Sequence, residues 1–217
     1  MLRLSITCAS KLLRRDRVLA PANLRRNILM NSNNRFSTQV LVKLALMTAM
    51  SLVLMFIVRI PFPPAPFLVY DPADIPIYIC TFAYGPVAGL VVTFIVSFLQ
   101  AFALGGDGIY GFVMHFIATG IVAVMIGWMY KRNKTKKTAL RALILGIFVT
   151  TAIMCVMNIF VTSAFMGVEK SVVIAMLPTA IIPFNLIKFS INAVVTFLVY
   201  KRISGFLHNE AILKKKN

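Results

Sequence analysis

The residues best suited to bind a ligand are polar side chains that interrupt a long apolar segment near the end of the chain. Asn185, Lys188 and Asn192 recur at i, i+3 and i+7, so on a helix they share one face. A lysine at membrane depth costs on the order of 3 kcal/mol to insert and usually faces an interior site. Because all six acids lie in predicted loops or tails, the ammonium group must meet a ligand, a backbone carbonyl or a loop acid. A ligand rich in carbonyl and ring-nitrogen acceptors would suit it.

A second polar stripe lies on the preceding apolar segment, at spacings of i, i+4, i+7 and i+11: Thr151, Cys155, Asn158 and Thr162. Two such faces on neighbouring helices predict one shared pocket. We expect Asn158, Asn185 and Lys188 to bind the ligand. We expect Asn192 and Thr151 to form hydrogen bonds between helices, each worth about 0.6 to 2 kcal/mol.

Three other side chains are candidates for ligand contact. His115 lies in GIYGFVMHFIATG, and a lone histidine is more often a hydrogen-bonded core residue than a ligand contact. Phe67 and Tyr70 follow a proline-rich segment and could wall a flat ring, although aromatic residues of membrane proteins more often serve packing or interface anchoring.

Motifs for catalysis and metal binding are absent from the sequence. It contains no HExxH, no CxxC and no GxSxG, and nothing in it arranges Ser, His and Asp as a triad. It also lacks GxxxxGK[ST], so the chain has no common P-loop ATPase site. We therefore predict that the chain is not an enzyme and holds no metal or cofactor. ATP-driven transport would require a separate ATPase protein.

Composition places these side chains in a membrane. Hydrophobic residues make up 59% of the 217 positions, charged residues 13%, and the mean hydropathy is +0.86. A soluble domain carries roughly 25% charged residues. All 23 Lys and Arg residues except Arg59, Lys170 and Lys188 fall in three blocks beside apolar segments. The +17 net charge therefore indicates cytoplasmic anchors beside anionic lipid rather than nucleic-acid binding.

The apolar segments predict an all-α fold, a bundle of six transmembrane helices with both termini cytoplasmic. The predicted spans are 40–58, 75–104, 109–130, 138–164 and 178–200, and residues 165–177 are a predicted loop. The run 75–104 is too long for one span. A turn signal at Gly85-Pro86 divides it into a short helix and a fuller one, which also places the basic blocks on one side. Between the first two segments, IPFPPAPF forbids helix and predicts a stiff loop.

The domain organisation follows from these spans. Residues 1–37 form a basic segment that we expect to be disordered, with Met30 as an alternative start. Residues 38–205 form the membrane domain, and residues 206–217 form a basic cytoplasmic tail. On the first span, Ala45 and Ala49 form a small-residue patch where another helix backbone could approach closely.

Several segments, in this order, resemble the substrate-binding S components of energy-coupling factor (ECF) transporters, within them the riboflavin-type branch. The resemblance covers about residues 38–205. It rests on these stretches: LALMTAM, DPADIP, FAYGPVAGL, GIYGFVMHFIATG, KRNKTKK, MNIF and PFNLIK.

The resemblance implies a multi-pass protein of the bacterial plasma membrane that captures a vitamin from outside. It implies docking through Ala45 and Ala49 onto a membrane-embedded coupling (T) subunit that carries two ATPase subunits. Asn158, Asn185 and Lys188 match the residues that hold the flavin ring in the riboflavin branch, so riboflavin is the implied transported ligand.

Two other functions remain open. An S component for a different vitamin or heterocycle would fit the same topology. A self-sufficient secondary transporter would be expected to show internal repeats and a mid-span acid, and the sequence shows no acid within a predicted span.

Overall fold

The computed structural model describes residues 38–105 and 108–213, with side chains for residues 38–103 and 108–202. The predicted disordered segment 1–37, with Met30, lies outside the described residues, as does Asp107. The chain divides into two units after Leu41, and the described residues comprise the second unit and the helical residues 38–41 of the first.

Helices account for nearly all of the described chain. Helix α1 is Thr38–Ile57, α2 is Asp74–Tyr84, α3 is Pro86–Leu99 and α4 is Gly108–Arg132. Helix α5 is Lys136–Met157, continued by a π-helical turn, Asn158–Thr162, and a last turn, Ser163–Met166. Helix α6 begins as Lys170–Met176, passes through a π-helical turn, Leu177–Ile181, and continues as Ile182–Leu213. A third π-helical turn, Gln100–Gly105, extends α3.

Five of the described helices are long and apolar enough to cross a membrane, and α2 is the exception. This confirms the predicted α-helical membrane bundle. The cytoplasmic placement of both termini stays a prediction. Residues 206–213, predicted as tail, continue the backbone of α6 to Leu213.

The predicted division of the long apolar run is confirmed at Gly85. Its φ of +93° is a conformation that side chains with a Cβ rarely adopt, and its N–H donates to the Thr81 carbonyl at 2.9 Å. Pro86 follows as the first residue of α3, where its fixed φ suits a helix start and its missing N–H has no helical partner to lose. The corner therefore joins α2 to α3 with no intervening loop.

The segment after α1 is non-helical, as predicted, but it is a hairpin rather than an irregular loop. Strand β1, Ile60–Phe62, pairs antiparallel with β2, Ala65–Tyr70. Each strand of a two-stranded sheet has one unpaired edge, and prolines are tolerated there because a missing N–H costs no ladder bond. The paired residues include Pro61 opposite Val69.

The prediction that residues 165–177 form a loop is wrong. Helix α5 runs to Met166, Gly167 ends it with a φ of +66°, and α6 begins at Lys170. A left-handed glycine is a common helix stop, so this turn needs only a few residues. The connection between α5 and α6 is consequently more helical than expected.

The α2–α3 corner packs directly on α4 at a position that admits no side chain. A Cβ added at Gly127 would lie 2.8 Å from the Pro86 Cα and 2.8 Å from the Thr81 Cγ2. Backbone and a β-branched side chain cannot move aside easily. Gly127 therefore sets how closely the corner approaches α4.

We expect Gly127→Ala to destabilise the bundle, since overpacking a rigid contact costs about 1–3 kcal/mol. The measurement is the thermal unfolding midpoint of the purified chain in detergent. Gly120→Ala is the matched control on the same helix, because its Cβ would lie 3.3 Å from Cδ1 at the end of the flexible Leu90 side chain and 3.9 Å from the Phe116 ring. Equal midpoints for the two variants would contradict this account.

Candidate ligand-binding cavity

A cavity of about 320 Å³ lies among α1, the hairpin and helices α2 to α6. This volume falls within the range of small-molecule sites, about 300–1,000 Å³. Its walls are apolar with a few polar groups: Met55, Phe67, Met114, Phe165, Phe184 and Phe189 supply much of the apolar surface, and Asp71, Asp74, Gln100, His115, Asn185 and Lys188 supply polar groups.

Lys188 on the cavity wall is paired with a carboxylate. Its Nζ donates to Asp71 Oδ2 at 2.8 Å, and the other carboxylate oxygen accepts from the Ala73 N–H at 3.2 Å. Asp71 follows β2 directly and is 5% exposed. A loop acid is therefore the partner of the ammonium group, one of the three partners that the sequence left open.

Asp74 is completely buried and belongs to α2, so its predicted place in a loop is wrong. It is the first residue of α2, where the positive end of the helix dipole favours a negative charge. Its Oδ1 accepts from Thr119 Oγ1 at 2.9 Å, and its Oδ2 accepts from Asn192 Nδ2 at 3.2 Å. His115 Nε2 lies 3.3 Å from Oδ1. The carboxylate thus joins α2 to α4 and α6.

His115 also contacts Ser97, with a distance of 2.7 Å from His115 Nδ1 to Ser97 Oγ. The order Ser97–His115–Asp74 is that of a hydrolase triad, an arrangement that the sequence did not reveal. Ser97 is 1% exposed and is not part of the described cavity wall, so its hydroxyl cannot reach a ligand there. We interpret Ser97 and Asp74 as the neighbours that fix the orientation of the His115 ring on the cavity wall.

Tyr70 connects the hairpin to α6, and it does not line the cavity. Its hydroxyl donates to Asn192 Oδ1 at 3.2 Å, while the amide of Asn192 donates to Asp74. Burial raises the pKa of Tyr70 above its ordinary value, so the hydroxyl stays a proton donor at neutral pH. Asn192 therefore links the hairpin, α2 and α6, in agreement with its predicted role between helices.

The predicted ligand-binding residues converge on this region, in two groups. Phe67, His115, Asn185 and Lys188 line the cavity. Asn158 and Tyr70 are not part of the described wall.

Asn158 lies fully buried behind the wall. Its Nδ2 donates to the Met154 carbonyl, and its Oδ1 accepts from Thr162 Oγ1 at 2.8 Å. Both of these neighbours line the cavity. Thr151, predicted to bridge helices, instead donates to the Ile147 carbonyl of its own helix at 2.7 Å. On an apolar helix, a threonine hydroxyl can find its hydrogen-bond acceptor in this way without a partner helix.

The remaining predicted residues, Ala45 and Ala49, lie on the exposed side of α1. The buried side of that helix carries Leu44, Thr48, Ser51 and Met55.

The sequence did not single out Asp71, Asp74 or Gln100 as site residues. The motif DPADIP places two acids beside prolines and directly before an apolar helix, which was a usable signal for buried carboxylates. Gln100 is the amide residue of the apolar run 86–104, and its burial follows from helix packing that the sequence does not show.

The geometry defines an integral membrane protein with a cavity of mixed polar and apolar lining. Comparison with known proteins gives the particular family. The family model of the substrate-specific component of ECF transporters matches residues 39–200. The chain belongs to this family, and it is a multi-pass protein of the bacterial plasma membrane.

Individual relatives agree with this assignment. The chain is 31% identical over 192 residues to the riboflavin transporter RibU of Staphylococcus aureus (strain TCH60), covering 85% of this chain and 98% of that protein. It is 27% identical over 180 residues to the riboflavin transporter FmnP of Bacillus subtilis (strain 168), covering 78% and 94%. These relatives are transporters rather than enzymes.

A solved S component of a bacterial ECF transporter has the same fold. It superposes with a TM-score of 0.67 and 32% sequence identity, covering 77% of this chain and 96% of that one.

The Asp71–Lys188 pair generates a stability prediction. Lys188→Met leaves a buried carboxylate without its partner, a change that costs about 3–5 kcal/mol in other proteins. We expect the thermal midpoint in detergent to fall markedly, and the double variant Asp71→Asn/Lys188→Met to recover most of the loss.

Lys170→Met, at an exposed lysine of the same helix, is the control and should leave the midpoint nearly unchanged. A double variant as unstable as the single one would show that the two charges do not depend on each other.

Proposed function

We propose that the chain is the riboflavin-binding subunit of an ECF importer. It takes the vitamin from the outside and delivers it together with a membrane-embedded coupling subunit and two ATPase subunits. The observation that carries this proposal is the pair Asn185 and Lys188, which present an amide oxygen and an ammonium group one helical turn apart on the cavity wall. The riboflavin-transporting relatives support the choice of ligand.

The chemistry of this pair suits the polar edge of a flavin ring. Asn185 is fully buried, its Nδ2 donates to the Ile181 carbonyl at 2.7 Å, and its Oδ1 accepts from no group in the described part of the chain. That oxygen can accept from the imide N–H of the ring. Lys188 has ammonium protons beyond the one given to Asp71, and they can donate to a neighbouring ring carbonyl.

The apolar part of the cavity suits the rest of the ring. Phe67, Phe184 and Phe189 come from the hairpin and from two turns of α6 that flank Lys188. Aromatic walls favour flat conjugated ligands through offset or edge-on ring contacts. A different vitamin with a flat ring and a comparable polar edge is the alternative ligand, and direct binding decides between them.

The first test is flavin binding by the chain purified alone in detergent. We expect it to quench the fluorescence of added riboflavin at a one-to-one ratio, or to carry a yellow chromophore that is released on denaturation and identified as riboflavin.

Asn185→Leu should weaken this binding at least about tenfold, because it removes an acceptor at similar volume. Thr196→Val is the matched control on the same face of α6, since Thr196 is fully buried and does not line the cavity. A wild-type chain that neither carries nor quenches riboflavin would assign the cavity to another ligand.

The exposed patch of Ala45 and Ala49 is the proposed contact for the coupling subunit. Both residues lie on the exposed side of α1. Large apolar side chains share that side, among them Leu46, Met50 and Val53. The two alanines make a depression in it where a partner helix can approach closely.

We expect the double variant Ala45→Leu/Ala49→Leu to abolish co-purification with the coupling subunit and vitamin uptake by cells. Riboflavin binding by the isolated chain should not change, because neither alanine lines the cavity. Met50→Phe enlarges another exposed residue of the same helix and serves as the control. Normal uptake by the double variant would remove the patch from the interface.

A further inference from the structure

Of the three π-helical turns in the described chain, two contribute residues to the cavity wall and the third lies shortly before wall residues of α6. The turn of α3 begins with Gln100 and Ala101, which both line it. The turn of α5 ends with Thr162, which lines it, and the turn of α6 is followed closely by Phe184 and Asn185. A π-helical turn rotates the side chains that follow it relative to an α-helix, and such turns often occur at functional sites.

Gln100 carries a polar atom that nothing in the described chain satisfies. Its Oε1 is buried and accepts no hydrogen bond from any described group. Its backbone N–H is already used within α3, donating to the carbonyls of Val96 and Ser97. A buried amide oxygen without a donor costs about 1–3 kcal/mol, and here the oxygen belongs to a residue of the cavity wall.

The carboxylate oxygens on the cavity wall already have hydrogen-bond donors within the protein. Asp71 accepts from Ala73 and Lys188, and Asp74 accepts from Thr119 and Asn192. Of the buried side-chain oxygens that line the described cavity, Asn185 Oδ1 and Gln100 Oε1 remain without a donor.

The two unpaired acceptors belong to different walls. Helix α3 packs on α2 and α4, whereas α6 packs on α2 and α5. Two donors of a single ligand must therefore reach separate sides of the cavity.

A flavin can supply two such donors in only one way. Its ring has the imide N–H as its sole hydrogen-bond donor, and Asn185 Oδ1 takes this group under the proposed function. The other donors are the hydroxyls of the sugar-alcohol side chain. We propose that Gln100 is a specificity-determining residue whose Oε1 accepts a hydrogen bond from a hydroxyl of that side chain. This inference rests on the proposed function and adds the recognition of the polyol to it.

The test compares two ligands on the same protein. Riboflavin carries the polyol, and lumiflavin has the same ring with a methyl group in its place. Dissociation constants for both are measured by fluorescence quenching with the wild-type chain and with Gln100→Met, which keeps the side-chain length and removes the amide. Gln100→Glu restores an acceptor oxygen. Because each variant is tested with both ligands, a loss of folded protein would affect the two titrations alike.

We expect Gln100→Met to weaken riboflavin binding about tenfold and to leave lumiflavin binding unchanged, with Gln100→Glu recovering most of the riboflavin affinity. Equal losses for both ligands, or no loss for either, would overturn the assignment of Gln100 while leaving the proposed function intact. A wild-type chain that binds neither flavin would overturn the proposed function and this inference with it.

Discussion

The burial of one carboxylate in an apolar bundle constrains the rest of the structure. Asp74 is fully buried, and an ionised carboxyl group in such surroundings is stable only if donors surround it. Thr119 of α4 and Asn192 of α6 supply those donors, and the N-terminus of α2 adds its dipole. These requirements fix the relative height of three helices. They also place His115 on the cavity wall and, through Asn192, hold Tyr70 and the hairpin in position.

The ligand-binding groups are arranged around this fixed centre. Asp71 lies three residues before Asp74 and meets Lys188, so the ammonium group is held by the same short segment that begins α2. Polar side chains placed in this way lose little freedom when a ligand arrives, because their rotamers are already determined by neighbours. Preorganisation of this kind lowers the entropy cost of binding.

Elements with strong local signals were predictable from the sequence, and those that depend on distant contacts were not. Hydrophobic length gave the spans, and Gly85-Pro86 gave the corner, because both are local properties. Helical spacing also identified Asn185 and Lys188, since residues on one face can be counted along the chain. The hairpin was missed because proline content excludes helix without indicating which edge of a strand is free. The burial of Asp71 and Asp74 was missed because their partners lie more than forty residues away, on α4 and α6.

The shortness of α2 sets the distance between the cavity and the Gly85 corner. Its 11 residues rise about 16 Å, roughly half of a hydrocarbon layer of about 30 Å. The cavity at its first residue therefore lies about 16 Å along α2 from the Gly85 corner. A solute held there has already shed its bulk hydration in exchange for protein groups. Under the proposed function, the captured vitamin therefore rests about half a hydrocarbon thickness away from that corner, and the transport cycle starts from a ligand already held by protein groups.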